Sequence, residues 1–210
     1  MYVYRQAITL CIIDAVNNQG MSSNTCIFVF ADNGTPPEIV SKYNGRNITG
    51  GKGSTNEFGL HVPLLVIGPS IKPNSVCRDI VDFTDFMPTI ASLSNVPHDD
   101  WKNYGIMDGE SFDKVLSGNG GHERTSSYGY YFLNPRNAAQ KRIYVQDTAY
   151  KLYDITNNNN FYNLQKDSLE QYPIPDTQLT AKEKSIKKSS RIFWRACTIK
   201  VPVLPAAHVI

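Results

Sequence analysis

The stretch Phe30-Ala31-Asp32-Asn33-Gly34, followed by Gly50-Gly51-Lys52-Gly53-Ser54 and Glu57-Phe58-Gly59-Leu60-His61-Val62-Pro63, decides how the chain is read. Immediately before it, Cys26–Ala31 is a continuous apolar run without alternation. Such a run suits a strand covered on both faces, so a central parallel strand of an α/β sheet is expected. Val62–Pro69 reads as a second buried strand, with proline tolerated at its first positions. Between the two, residues 34–60 are polar and glycine-rich, a loop of a length usually either functional or disordered.

Asp32 and Asn33 stand at a strand end, where sites in open α/β sheets gather. They offer only hard oxygen ligands, which favours calcium, with magnesium second, over zinc. The same residues with Gly34 also make an ordinary Asx turn, and both readings stay open. Lys52 lies among Gly50, Gly51 and Gly53. Glycines let backbone approach an anion and lysine supplies a point charge for it; the alternative is a solvated lysine on a surface loop. The segment is no P-loop, because that motif needs glycine where Arg46 stands and Ser or Thr where Gly53 stands. His61, just ahead of the second strand, is either a structural hydrogen-bonder or a substrate contact.

Upstream, Tyr4, Ala7, Ile8, Cys11, Ile12 and Ala15 form one helical stripe, with Gly20 as its stop. A chain that opens inside an amphipathic helix implies preceding sequence. Downstream, Thr84–Leu93 predicts a helix capped by Thr84 or Asp85, with Pro88 in its first turn. The texture turns glycine-rich and polar around Ser117–Glu123. Beyond it, Ser127–Leu133, Arg142–Gln146 and Tyr150–Ile155 resemble an antiparallel meander, Asn157–Asn160 a turn, and Ala181–Ser190 a polar helix. The expected division is an α/β region over 1–118, a small antiparallel β subdomain with a terminal helix over 119–190, and a loose tail over 191–210.

Twenty-one Lys and Arg against 19 Asp and Glu give no argument for a nucleic-acid or anionic-membrane partner. The Lys182–Lys188 cluster reads as a solvated helix face. No apolar run reaches membrane-span length. The four cysteines lack metal-finger spacing; Cys11 and Cys26 sit in apolar runs and read as buried thiols. No Gly-x-Ser-x-Gly elbow is present, and no cysteine has a catalytic setting, so serine- and cysteine-hydrolase readings are set aside.

Taken in order, the helix before the first strand, Asp32-Asn33-Gly34, Gly50-Gly51-Lys52-Gly53, Glu57–Pro63, Asp85-Phe86-Met87-Pro88-Thr89-Ile90 and Tyr150-Lys151-Leu152-Tyr153-Asp154-Ile155 with Asn163-Leu164 resemble the C-terminal portion of the sulfatase family, in the alkaline-phosphatase-like superfamily. That resemblance implies that Asp32 and Asn33 are two ligands of one calcium ion and that Lys52 binds the sulfate and stabilises its developing charge. Asn33 stands where the superfamily's two-zinc phosphoesterases carry histidine, which favours a one-metal sulfatase site. The family pattern Glu-Gly-Gly-x-Arg-Val-Pro is altered here, with Phe58 and His61 in place of a glycine and the arginine. The family's nucleophile, a formylglycine made from Cys or Ser in Cys/Ser-x-Pro-x-Arg, has no counterpart, because none of the four cysteines is followed by that pattern.

The expectation is therefore an α/β, alkaline-phosphatase-like sulfatase sheet followed by a small antiparallel lobe. Its function would be sulfuric ester hydrolysis on a glycan or aryl sulfate, at a calcium-assisted site to which this chain does not supply the nucleophile. An N-terminal half or self-association would cover the partial sheet. The resemblance implies a periplasmic, secreted or lysosomal setting. A non-catalytic module binding sulfated ligands is the alternative, and a phosphoester hydrolase a further one.

Overall fold

The computed structural model describes residues 2–43, 45–97, 108–132 and 137–200. They divide into two compact units: residues 1–53 with 58–124, and residues 54–57 with 125–210.

The first unit opens with helix α1 (Tyr2–Asn18), followed by Gly20 at φ +68°. Strand β1 (Ile27–Phe30) pairs with β4 (Leu64–Ile67), while β2 (Val40–Tyr43) and β3 (Arg46–Thr49) form a hairpin inside the connecting segment. The expected long polar, glycine-rich loop thus contains a hairpin, with Tyr43 opposite Arg46 and Gly45 at φ +76°. The two apolar strands lie where the sequence put them, but they are antiparallel, with Ile27 opposite Ile67 and Phe30 opposite Leu64. Apolar continuity reports burial and says nothing of direction. Nor is burial on both faces realised: in β4, Leu65 is 59% exposed while Leu64 and Val66 are partly covered. The covered side meets an aromatic cluster in which Phe86 lies 5.9 Å from Phe28, 5.0 Å from Phe30 and 5.7 Å from Phe112 between ring centroids. Cys11 is exposed and Cys26 half-buried, so neither is the buried thiol expected; nothing among the described residues covers the Cys11 face of α1.

Helix α2 (Glu57–Leu60) is a single turn. Helix α3 (Phe86–Leu93) follows a 3₁₀ turn over Phe83–Asp85, and α4 spans Asp113–Ser117. Asp82 caps the 3₁₀ turn, its carboxylate accepting from the Thr84 N–H at 3.0 Å, while Asp85 holds the expected N-cap position of α3 without a side-chain cap bond there. Asp85 reaches back to accept from the Asp82 N–H at 2.8 Å, completing a capping box. Fully buried, it also accepts two bonds from Arg124, at 2.5 and 2.8 Å, and one from the Glu110 N–H at 2.8 Å. His122 Nε2 lies 3.2 Å away.

The second unit is a four-stranded antiparallel meander in the order β5 (Ser127–Tyr131), β6 (Arg142–Gln146), β7 (Tyr150–Tyr153), β8 (Phe161–Asn163). The turn between β7 and β8 holds Asn158 and Asn159 at positive φ. Leu152, Phe161 and Leu179 form its core, with Tyr150 stacked on Phe161 at 5.3 Å. Helix α5 (Ala181–Lys200) packs Ile186 onto that core and continues ten residues beyond the expected helix end, so residues 191–200 are no tail. Residues 201–210 of the expected tail lie outside the described residues. The units part after Arg124, and Ser54–Glu57 belong with the second. Lys151, fully buried, explains that membership: its ammonium donates to the Thr55 carbonyl, pairs with Glu170 at 2.9 Å and sits 4.1 Å from the Tyr144 ring centroid.

Arg124→Ala would leave the Asp85 carboxylate buried without its cation, a change that costs about 3–5 kcal/mol at comparable sites; urea unfolding of the chain measures it. Burial pushes the Asp85 carboxyl up, but the Arg124, Asp82, Glu110 and His122 bonds outweigh it and hold the group below the usual carboxylate range. The stability this contributes is complete above the unfolded value near ~3.9 and is lost as pH falls through the lower folded value. Asp85→Asn should therefore lose stability at neutral pH and show a flatter acid limb than the parent.

Candidate functional site

The residues singled out by sequence cluster in the first unit around tight backbone approaches. Gly34 donates its N–H to the Gly59 carbonyl at 2.9 Å, tying the Asp32-Asn33-Gly34 turn to α2. Gly50 donates to the Ile39 carbonyl at 3.1 Å, and Lys52 donates its backbone N–H to the Thr35 carbonyl at 3.0 Å. The loop carrying Lys52 is thereby hung on the residues that directly follow the Asp32-Asn33 turn. No side chain fits at these crossings. A Cβ on Gly34 would collide with the Phe58 carbonyl, and one on Gly51 would meet the Phe58 and Gly59 backbone. Glycine is required here by contact distance. At Gly53, with φ +86°, it is required by backbone conformation.

Asp32 and Lys52 present exposed side chains, and Asn33 is partly buried. The Asn33 amide donates to Asp32 Oδ2 at 2.7 Å, so the two side chains lie side by side. That leaves Asp32 Oδ1 and Asn33 Oδ1 as hard oxygens for a cation. Among the described residues no group of three His, Cys, Asp or Glu side chains comes together as a metal cage. Two oxygens are fewer than the six to eight that calcium takes, so they form at most part of a shell. His61 is exposed, beyond the end of α2.

Two polar clusters escaped the sequence reading. Asp85 was expected as a helix cap, yet with His122 and Arg124 it ties α3 to residues 108–124. Their separations of 37 and 39 residues leave no local signal. The second is the buried Lys151–Glu170 pair, joined by the Tyr153 hydroxyl at 2.5 Å from Glu170 and 2.7 Å from Thr55 Oγ1. Burial pushes the Tyr153 phenol strongly up, as does the Glu170 charge, so it stays protonated.

The model of a family described as "N-sulphoglucosamine sulphohydrolase, C-terminal" matches residues 52–190. The chain belongs to this sulfatase family. An N-acetylglucosamine-6-sulfatase of Capra hircus is 33% identical over 112 residues, covering 51% of this chain and 17% of that protein. Human arylsulfatase A is 28% identical over 122 residues, covering 57% of this chain and 23% of its own length. Among solved structures, a sulfatase from Pseudoalteromonas sp. superposes with a TM-score of 0.68 at 21% identity, covering 92% of this chain and 40% of that one. A protein solved in complex with its substrate D-glucosamine-2-N,6-O-disulfate superposes with a TM-score of 0.67 at 20% identity, covering 91% of this chain and 38% of that one. At such identities the superpositions establish the fold. The chain thus spans about a fifth of the length of these curated sulfatases and two fifths of the solved ones.

Gly34→Ala tests the backbone crossing at the sulfatase turn. Its Cβ meets backbone that has no rotamer to yield, so a loss of about 1–3 kcal/mol is expected in urea unfolding. Gly20→Ala has open space around its Cβ and differs only through its left-handed φ, so it should cost less.

Proposed function

We propose that this chain is the C-terminal portion of the catalytic domain of a sulfate-ester hydrolase, with Asp32 and Asn33 as calcium ligands and Lys52 as the sulfate-binding cation. The observation that carries the reading is the backbone link from Lys52 to Thr35, which brings an exposed ammonium-bearing loop against a turn that presents two hard oxygens. Hydrolysis of a sulfate ester breaks a sulfur–oxygen bond and leaves negative charge on the departing oxygen. A lysine in a glycine-bordered loop can approach that charge closely and is a point donor suited to it. Calcium, when bound, would neutralise sulfate oxygens and so favour attack at sulfur. Its remaining ligands would be water, backbone carbonyls or groups outside the described residues. His61 is assigned a substrate contact at the rim of the same loop cluster.

The substrate class that fits is a sulfated sugar. The names of two similar proteins support this, one an N-acetylglucosamine-6-sulfatase and the other holding a glucosamine disulfate as its substrate. The chain has no Cys/Ser-x-Pro-x-Arg sequence, so the attacking group is not one of its residues. The pure polypeptide is expected to release no sulfate from an aryl sulfate or from glucosamine-6-sulfate; metal-dependent release would refute that division of labour.

Calcium at millimolar concentration should raise the melting temperature of the chain by mass action. Asp32→Ala and Asn33→Ala should each abolish the increment while leaving the metal-free melting temperature near the parent's, because both side chains sit outside the core. A calcium increment unchanged in both variants, or absent from the parent, would sink the assignment of these ligands.

A further inference from the structure

Helix α5 departs from the chain's overall charge balance. Residues 181–200 contain seven Lys and Arg against the single Glu183, whereas the whole chain is close to neutral. The fold treats these cations in two ways. Lys187 is buried and used internally: it pairs with Asp176 at 2.7 Å, donates to the Asn159 carbonyl at 3.2 Å and lies 5.6 Å from the Phe161 ring centroid. Lys184, Lys188 and Arg191 are exposed, and among the described residues no side-chain ion pair or hydrogen bond is formed by any of the three.

Their spacing of four and three residues puts these three on one face of the helix, spread over about 10 Å along its axis at ~1.5 Å per residue. Lys187, three residues from Lys184 and four from Arg191, borders the same stripe but turns into the core, as does Ile186 further round the helix. Among the described residues the acidic groups near the stripe are already engaged. Glu183 accepts the Thr180 N–H at 2.9 Å and hydroxyl at 2.7 Å at the helix start, and Asp176, whose charge Arg191 feels, is held by Lys187. Like charges four residues apart weaken a helix, so Lys184 and Lys188 cost the isolated fold stability without a compensating contact. Exposed Ser185 and Ser189 flank the stripe with hydroxyl donors, and Ile192 is the one large apolar side chain beside it that is strongly exposed.

We infer that the Lys184–Lys188–Arg191 stripe of α5 binds an extended sulfated polysaccharide. This rests on the sulfated-sugar reading of the preceding subsection. Among polyanions it favours a sulfated glycan over an anionic membrane, since the stripe lacks the broad apolar face that inserts into lipid. It also favours a glycan over single-stranded nucleic acid, since among the described residues no aromatic platform for bases lies on it, while duplex DNA, held through its phosphates, is distinguished by the test.

The test is binding of the full chain to a fluorescent heparin-type oligosaccharide over a salt series, with duplex DNA and phosphatidylserine vesicles as parallel probes. The variant K184Q/K188Q/R191Q should lose roughly tenfold or more in affinity at low salt and show a shallower salt dependence, by analogy with counterion release at nucleic acids. Lys182→Gln, on the other side of the helix, should bind within about twofold of the parent, as a single displaced charge would in this counterion picture. The charge-preserving K184R/K188R should retain binding, and circular dichroism melts show whether each variant is folded. Equal binding by the triple variant and the parent would overturn the inference, as would DNA or vesicles bound as tightly as the oligosaccharide. Loss on Lys52→Ala with the triple variant unaffected would also overturn it, assigning the glycan to the loop and leaving the sulfatase reading intact. Loss confined to the triple variant, alongside failure of the calcium experiment, would strike the metal assignment and leave the stripe.

Discussion

A charge taken out of water must be given back its hydrogen bonds, and each unit of this chain is organised around one such charge. In the first unit Asp85 is that group. It terminates the 3₁₀ turn, closes the capping box with Asp82 and gathers Glu110, His122 and Arg124 onto the start of α3. The aromatic cluster around Phe86 and Phe112 then lies against a helix whose position is already determined. In the second unit Lys151 plays the corresponding part with opposite sign. Its ammonium, roofed by Tyr144 and paired with Glu170, makes the sheet a receptor for the Thr55 carbonyl. Apolar contact supplies area in both units, while these ions determine which segments meet.

What the sequence made legible follows from the range of the forces involved. The strands at 27–30 and 64–67, the meander over 127–155 and the asparagine turn after it are written in local hydrophobicity and turn chemistry, and they stand where expected. Strand direction is set by the course of the intervening chain, and the apolar run of β1 carries no trace of it. The hairpin at 40–49 had a local signal in Asn44-Gly45, overshadowed by the polarity of the surrounding loop. Likewise Asp85 stands at the expected N-cap of α3 but uses its carboxylate elsewhere, because a carboxylate beside a helix start serves equally well as cap or as buried anchor. Only distant Arg124 distinguishes the two roles.

The candidate site shows the same division. Asp32, Asn33, Lys52 and the surrounding glycines could be chosen from residue type and spacing, because ligand chemistry is a property of the side chain. The reason for the glycines could not be read that way. They are crossings of one backbone over another, at Phe58 and Gly59, and a sequence does not display its own crossings. Nor could the sequence separate Lys187 from Lys188, adjacent residues of one helix. One is a structural cation inside the fold and the other stands in solvent, a difference fixed by the phase of the helix against β8 and by Asp176.

Ser54–Glu57 are counted with the second unit although the residues on both sides of them belong to the first. The chain is thus interleaved, and no single cut separates it into two self-sufficient pieces. A recombination joining residues 125–210 to a foreign partner would carry Lys151 into a sheet with no Thr55 carbonyl to receive it. One that ended a gene at residue 124 would strand Ser54–Glu57 without their β-strand hosts. Inheritance of this region should therefore be all-or-none, with domain shuffling closed to it and change confined to substitution within the block.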